Sequence, residues 1–168
     1  MMKGRESCLL SSVVGELLVA QIAHELKNHN LYRSFANFFS AEGIEDLEDY
    51  YNKRADEEQL HYEWIYTYLT DSDYKFNHPA VEQNTEVAED YITPFEATIK
   101  REVLTTQLIY RIYEAAKEEK DYMTASWLDR KLIREQIEEE NTSRMAKSII
   151  SQDADIFVRA KKILSLLK

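Results

Sequence analysis

The sequence predicts an all-α protein, a four-helix bundle made of two antiparallel hairpins joined by a long crossover, followed by a short helix. Three observations lead there. Gly and Pro are scarce, three and two among 168 residues, and 44% of the chain is hydrophobic, so few positions break a helix. Apolar and aromatic residues recur at the 3-4 spacing of a core seam in four long segments. Finally, Glu25 and Glu58 lie 33 residues apart, as do Glu102 and Glu135, and each second member is followed at i+3 by a further candidate ligand, His61 or Glu138.

The chain reads as one domain over 1–168, with the bundle spanning about residues 11–151. The first helix covers about 11–41, with Leu18, Ile22, Glu25, His29, Tyr32, Ala36 and Phe39 on its inner seam, and Glu42-Gly43 ends it. The second covers about 44–70, with Leu47, Tyr51, Arg54, Glu58, His61, Ile65 and Tyr68 or Leu69 inward. Residues 71–92 show turn chemistry (Asp71-Ser72-Asp73, Asn77-His78-Pro79) and no sustained period. Antiparallel neighbours need only a few connecting residues, so this length predicts a crossover that leaves the second and third helices parallel.

Thr93-Pro94-Phe95-Glu96 reads as a helix start, with Thr93 as N-cap and Glu96 as its capping-box partner. The third helix then covers about 93–120, with Phe95, Ile99, Glu102, Thr106, Ile109, Tyr113 and Ala116 inward. The fourth covers about 122–151, with Leu128, Leu132, Glu135, Glu138 or Glu139, Thr142, Ala146 and Ile149 inward. A short last helix covers about 154–167.

A formal net charge of -10 argues against nucleic acid or an anionic membrane as partner. No run is long and apolar enough to span a bilayer. The single cysteine, Cys8, rules out an internal disulfide and a paired-cysteine zinc or rubredoxin-type site. Lys3, Arg5 and the apolar run after Cys8 resemble a signal sequence only until Glu16 interrupts them; the amphipathic pattern continues to Glu25, and a cytoplasmic protein is expected.

A carboxylate on a core seam is costly unless it is paired or binds a metal. One such Glu alone reads as a solvated residue. Four helices, each with an inward carboxylate at one level, read instead as a centre for two metal ions. Carboxylate oxygens with one imidazole suit iron or manganese better than structural zinc. His29 reads as a crevice histidine, Trp64 and Trp127 read as packing residues, and His24 and His78 have no partner visible in the sequence.

The run from Ala41 to His61, A-E-G-I-E-D-L-E-D-Y-Y-N-K-R-A-D-E-E-Q-L-H, preceded by Glu25 and Tyr32, resembles the non-haem bacterial and archaeal ferritins. So do K-R-E-V-L-T-T-Q-L-I over 100–109 and R-E-Q-I-E-E-E over 134–140, and the resemblance spans about residues 15–151. It implies a ferritin-like bundle with a ferroxidase centre of two irons per subunit: Glu25 and His61 on one iron, Glu58 bridging, Glu102 on the second, and a fourth-helix residue nearby. Tyr32 would hydrogen-bond to the ligands and supply an electron. The resemblance further implies oxidation of Fe(II) by dioxygen or peroxide and storage of the mineral in a homo-oligomeric shell of 24 subunits. Haem is not expected, because the haem-binding relatives place His and Met where this chain has Glu138 and Gln59. The connection at 151–155 is shorter than the family's connection to its last helix, so the shell is a separate expectation from the metal centre.

Two other functions fit the sequence: a di-iron or di-manganese oxidase or peroxidase that stores no mineral, and a metal-free four-helix interaction module. The fourth-helix ligands have two registers. Counting on from Glu102 selects Glu135 and Glu138, whereas matching the family string E-Q-x-E-E-E selects Gln136 and Glu139. With no visible place for an inserted residue, Glu135 and Glu138 are the expected pair. In that register Arg134 and Ile137 stand beside Glu57 where the accessory third iron site of some bacterial ferritins would want carboxylates.

Overall fold

The computed structural model describes residues 10–167; Cys8 and the lead-in around Lys3 and Arg5 lie outside that range. Its elements are α1 (Ser12–Ala41), α2 (Glu45–Asp71), α3 (Thr93–Glu118), α4 (Tyr122–Leu128), a π-helical turn (Asp129–Ile133), α5 (Arg134–Ile150) and α6 (Ile156–Leu164). No strand occurs among the described residues, and no helix among them is long and apolar enough to cross a membrane.

Local chemistry sets most helix ends. The Ser11 hydroxyl accepts the Val14 N–H at 3.2 Å and opens α1. Gly43, at φ +72°, takes the left-handed conformation that lets α1 turn back into α2 within three residues. The start of α3 departs from expectation. Ile92, not Thr93, is the N-cap, and Asp90 ties the entry to the helix by accepting the N–H groups of Ile92 and Thr93 at 2.8 and 2.7 Å. Thr93 is already helical, and its hydroxyl accepts the Glu89 N–H at 3.0 Å, so it is not free to form a capping box with Glu96. Asp121 and Asp155 open α4 and α6 in the ordinary way.

Cross-helix pairs establish the topology. Glu25 faces His61 at 3.8 Å, His29 Nδ1 lies 2.8 Å from the Ala55 carbonyl and Arg33 donates to Asn52 at 2.5 Å, so α1 and α2 are antiparallel. Tyr51 to Thr98 and Arg54 to Glu102 make α2 and α3 parallel, as the crossover requires. The crossover is seated on α1. A Cβ at Gly15 would clash with the Tyr74 ring, so glycine allows this close approach. Farther along, the Asn84 amide donates to the Lys27 carbonyl at 2.9 Å, and Arg101 donates to Asn84 at 3.1 Å.

Two apolar clusters fill the bundle ends. One is aromatic: Tyr51 touches Phe35, Phe39, Tyr50 and Phe95 with ring centroids 5.2–5.7 Å apart, and Ala160 and Ile163 of α6 close that end. The other is aliphatic, around Leu18, Ile22, Ile65, Ile109 and Leu132. Between them lies a buried polar layer. On α3 the buried positions include Thr98, Thr105 and Ile112, while Ile99, Thr106 and Tyr113 are only half-buried, so the inner face is shifted by one residue from the expected seam at those turns.

The fourth helix holds the largest departure. Its buried positions run Thr124, Ala125, Leu128, Leu132, Gln136, Glu139, Ser143, Ala146 and Ile150. Two consecutive steps of four, Leu128 to Leu132 to Gln136, cover 8 residues where two α-turns need about 7. The π turn at Asp129–Ile133 absorbs the surplus residue. Downstream of it the expected inner residues Glu135, Glu138, Thr142 and Ile149 give way to Gln136, Glu139, Ser143 and Ile150.

Candidate metal centre

The polar layer draws residues from each long helix. Glu25 of α1 and Glu58 and His61 of α2 are buried, with candidate ligand atoms all within 4.8 Å of one another. Gln21, one turn before Glu25, fixes it by donating to Oε1 at 2.6 Å. Glu25 Oε2 then faces His61 Nδ1 at 3.8 Å, and Glu58 Oε2 faces the same nitrogen at 3.9 Å. Glu139 of α5 closes the other side, its Oε1 3.8 Å from His61 Nε2. These separations are too long for hydrogen bonds.

Consequently Glu25 Oε2, both oxygens of Glu58 and Glu139 Oε2 are buried without a hydrogen-bond partner. Four uncompensated carboxylate oxygens around one imidazole are costly in a protein interior unless a cation accepts them. The donor set, mostly hard oxygen with one nitrogen, fits iron or manganese.

Glu102 of α3 is different. Its Oε1 accepts the Tyr32 hydroxyl at 2.5 Å and Arg54 Nη2 at 2.6 Å, and its Oε2 accepts Gln136 Nε2 at 2.7 Å. Arg54 is 1% exposed; its Nη1 also reaches Glu57 at 3.2 Å and lies 3.9 Å from Glu139. Glu25, Glu58, His61, Glu102 and Tyr32 thus fall in one layer.

Glu135 and Glu138 do not join them. Both are exposed, and with Glu57, Glu139 and Thr142 they line a surface pocket beside Arg54. The cause is the π turn, which rotates everything after it. The same rotation leaves Arg134 and Ile137 exposed and gives Glu57 acidic neighbours, reversing the expectation for that face.

Sequence reasoning assigned no role to Gln21, which its i−4 relation to Glu25 makes findable. Arg54 was visible on the inner seam, but seam position alone does not identify its partner. Among the remaining expectations, His24 has partners after all, Thr105 at 2.7 Å and Asn28 at 3.3 Å. Trp127 stacks on Tyr68 at 4.3 Å, and the His61 ring packs 5.3 Å from Trp64.

Electrostatics of the layer follow from crowding. Burial raises the Glu58 carboxyl well above the usual range, and the charges of Glu102 and Glu25 add to the effect. Glu139 is pushed up to about 8 by burial, against His61 and with Glu102. Burial would lower His61, but Glu139 and Glu25 outweigh it and raise the imidazole to about 9. Burial would likewise raise Glu25, yet His61 and Glu58 hold it low. Burial and Glu102 raise Tyr32, which stays a neutral donor.

These shifts carry a sign. Glu58 and Glu139 keep protons that unfolded carboxyls lose near pH ~4.3, so their contribution to stability declines as pH rises toward 8. His61 contributes below its unfolded value of ~6.5 and loses that contribution as pH rises through 9. Glu25, depressed, contributes throughout this window. The metal-free protein will therefore melt at a lower temperature at pH 8.5 than at pH 6, and a bound divalent ion will flatten that slope. Thermal unfolding with chelator and with Zn(II) reads both; a metal-free melting temperature that rises over this range would contradict the account.

Taken together, the helix order, the crossover and the carboxylate layer define a ferritin-like four-helix protein. The Ferritin-like domain family matches residues 15–147, and the chain belongs to that family. Within it the similarity is to non-haem ferritins of bacteria and archaea. The chain is 29% identical over 133 residues to the bacterial non-heme ferritin of Staphylococcus aureus, covering 79% of this chain and 80% of that one. With the Staphylococcus haemolyticus protein it is 28% identical over 134 residues, 80% of each chain. Among solved structures, the open pore ferritin of the hyperthermophilic archaeon Archaeoglobus fulgidus superimposes with a TM-score of 0.87 at 26% identity, over 96% of this chain and 99% of that one.

Proposed function

We propose that this chain is an iron-storage ferritin of the cytoplasm that takes up Fe(II) at the buried carboxylate centre, oxidises it with dioxygen or peroxide, and holds the ferric mineral inside a homo-oligomeric shell. The observation that carries this reading is the set of four unpartnered carboxylate oxygens on Glu25, Glu58 and Glu139 around His61. Iron is the substrate. Glu25 and His61 hold a first ion, Glu58 lies between it and the Glu102 side as the bridging carboxylate, and Glu139 replaces the expected Glu135 and Glu138 as the α5 ligand.

The remaining residues set geometry. Gln21 orients Glu25; Tyr32 and Gln136 fix Glu102 from opposite helices. Two Fe(II) give two electrons to dioxygen, which with two protons leaves as hydrogen peroxide, and the raised Glu58 and Glu139 carboxyls release protons as iron binds. A shell of 24 subunits, as in the ferritins this sequence resembles, is supported by the likeness to the archaeal ferritin and by apolar side chains exposed on α3 and α5, among them Tyr110, Ile137 and Met145.

Anaerobic Fe(II) titration followed by oxygen tests the proposal. Storage predicts uptake far beyond the ions of the centre, retained through gel filtration with the assembled protein. An oxidase that stores nothing stops when the centre is full, and a metal-free module binds no Fe(II) tightly; either result would overturn the proposal.

A further inference from the structure

We propose that Arg54 is a built-in cation for the second half of the centre: each subunit binds one divalent ion tightly at Glu25, Glu58 and His61, and a second ion enters beside Glu102 only by displacing the guanidinium. This rests on the metal-binding reading above and concerns how the two halves fill.

The two halves differ in what their carboxylates lack. On the Glu25–Glu58–His61 side three carboxylate oxygens have no partner. On the Glu102 side both oxygens are satisfied, by Tyr32, Arg54 and Gln136. Arg54 is always charged and almost wholly buried, and it lies among Glu102, Glu139 and Glu57, where a second ion would need the same oxygens.

Charge counting agrees. Glu25, Glu58, Glu102 and Glu139 offer four negative charges when ionised, and Arg54 offsets one. With His61 neutral as a ligand, one divalent ion leaves the buried layer at −1. A second, with Arg54 still in place, would leave it at +1 next to a fixed guanidinium.

Arg54 is nonetheless displaceable. It meets Glu102 through a single nitrogen rather than a fork, and its Nε has no hydrogen-bond partner. On its outer side it borders the pocket where Glu57, Glu135 and Glu138 can receive the guanidinium once a metal takes Glu102. Oxidation by a metal pair therefore waits on an ion that has to compete with an arginine.

The test is anaerobic equilibrium dialysis with Fe(II), and in parallel with redox-inert Zn(II), on wild type, Arg54→Gln and Arg54→Lys. Wild type is expected to bind one ion per subunit tightly and a second at least about 100-fold more weakly. Arg54→Gln brings the two affinities to within about tenfold, and Arg54→Lys, which keeps the charge, stays near wild type. The proposal is overturned if wild type binds two ions of similar affinity, or if Arg54→Gln, folded by circular dichroism, still binds only one. The wild-type stoichiometry decides even if the glutamine variant does not fold. Absence of any tight ion from all three proteins would instead sink the metal-binding reading itself.

Discussion

Glu58→Ala will abolish rapid Fe(II) oxidation while leaving the metal-free fold intact. Both Glu58 oxygens are buried and unpartnered, so the side chain makes no hydrogen bond that the fold would lose. It lies beside His61 and feels the charges of Glu25, Glu102 and Glu139 together, the position of a bridging ligand. Loss of a group that merely supports a metal ligand costs roughly 10–100-fold. Loss of the proposed bridge should exceed that range, read by stopped-flow absorbance of Fe(III) formation, while circular dichroism of the metal-free variant matches wild type. Rapid oxidation in Glu58→Ala would place the reaction elsewhere in the protein.

The largest effect on stability is expected from Tyr51→Ala. This ring is fully buried, stacks on Phe39 and meets Phe35, Tyr50 and Phe95 edge-on or tilted, so its removal opens a cavity lined by four aromatic residues. A truncation of this kind costs about 3–5 kcal/mol. For a chain of this size that lowers the melting temperature by roughly 10 °C. Tyr51→Phe keeps the packing and loses only a 3.3 Å contact with Thr98, a change of about 1 kcal/mol. Thermal unfolding of the two metal-free variants separates packing from the hydroxyl; equal losses would show that the hydroxyl, not the cluster, carries the stability. Tyr51 also packs against Tyr32, 6.1 Å between rings, so the cluster braces the tyrosine that holds Glu102.

The hairpin of α1 and α2 was legible in the sequence because its period is uninterrupted, and that regularity placed Glu25, Glu58 and His61 together by counting alone. The crossover was legible from its length. The start of α3 differs because the helix begins one residue before a Thr93 cap would allow: the Ile92 carbonyl already accepts the Phe95 and Glu96 N–H groups, and the Thr93 hydroxyl is taken by the Glu89 N–H. The register of α5 was misread for a different reason. A π turn has no composition of its own, and Asp129–Ile133 reads as ordinary helix. The string of residues E-Q-I-E-E-E carried the register that spacing could not, since a local motif is unaffected by an insertion upstream of it. Arg54 shows a further limit: a hydrophobic period says which residues face inward, not whether an inward cation belongs to a carboxylate or stands where a metal would.

The surplus residue in the π turn also fixes the electrical character of the interior. In an unbroken α-helix the face now showing Gln136 and Glu139 would show Glu135 and Glu138, two acids in place of one acid and one amide. Rotation by one position thus withholds a negative charge from the bundle and supplies in its place an N–H donor, which Glu102 accepts. The two acids turned outward stand by Glu57 at the rim. A single inserted peptide unit, outside the carboxylate layer, apportions acidity between the inside of this protein and its surface.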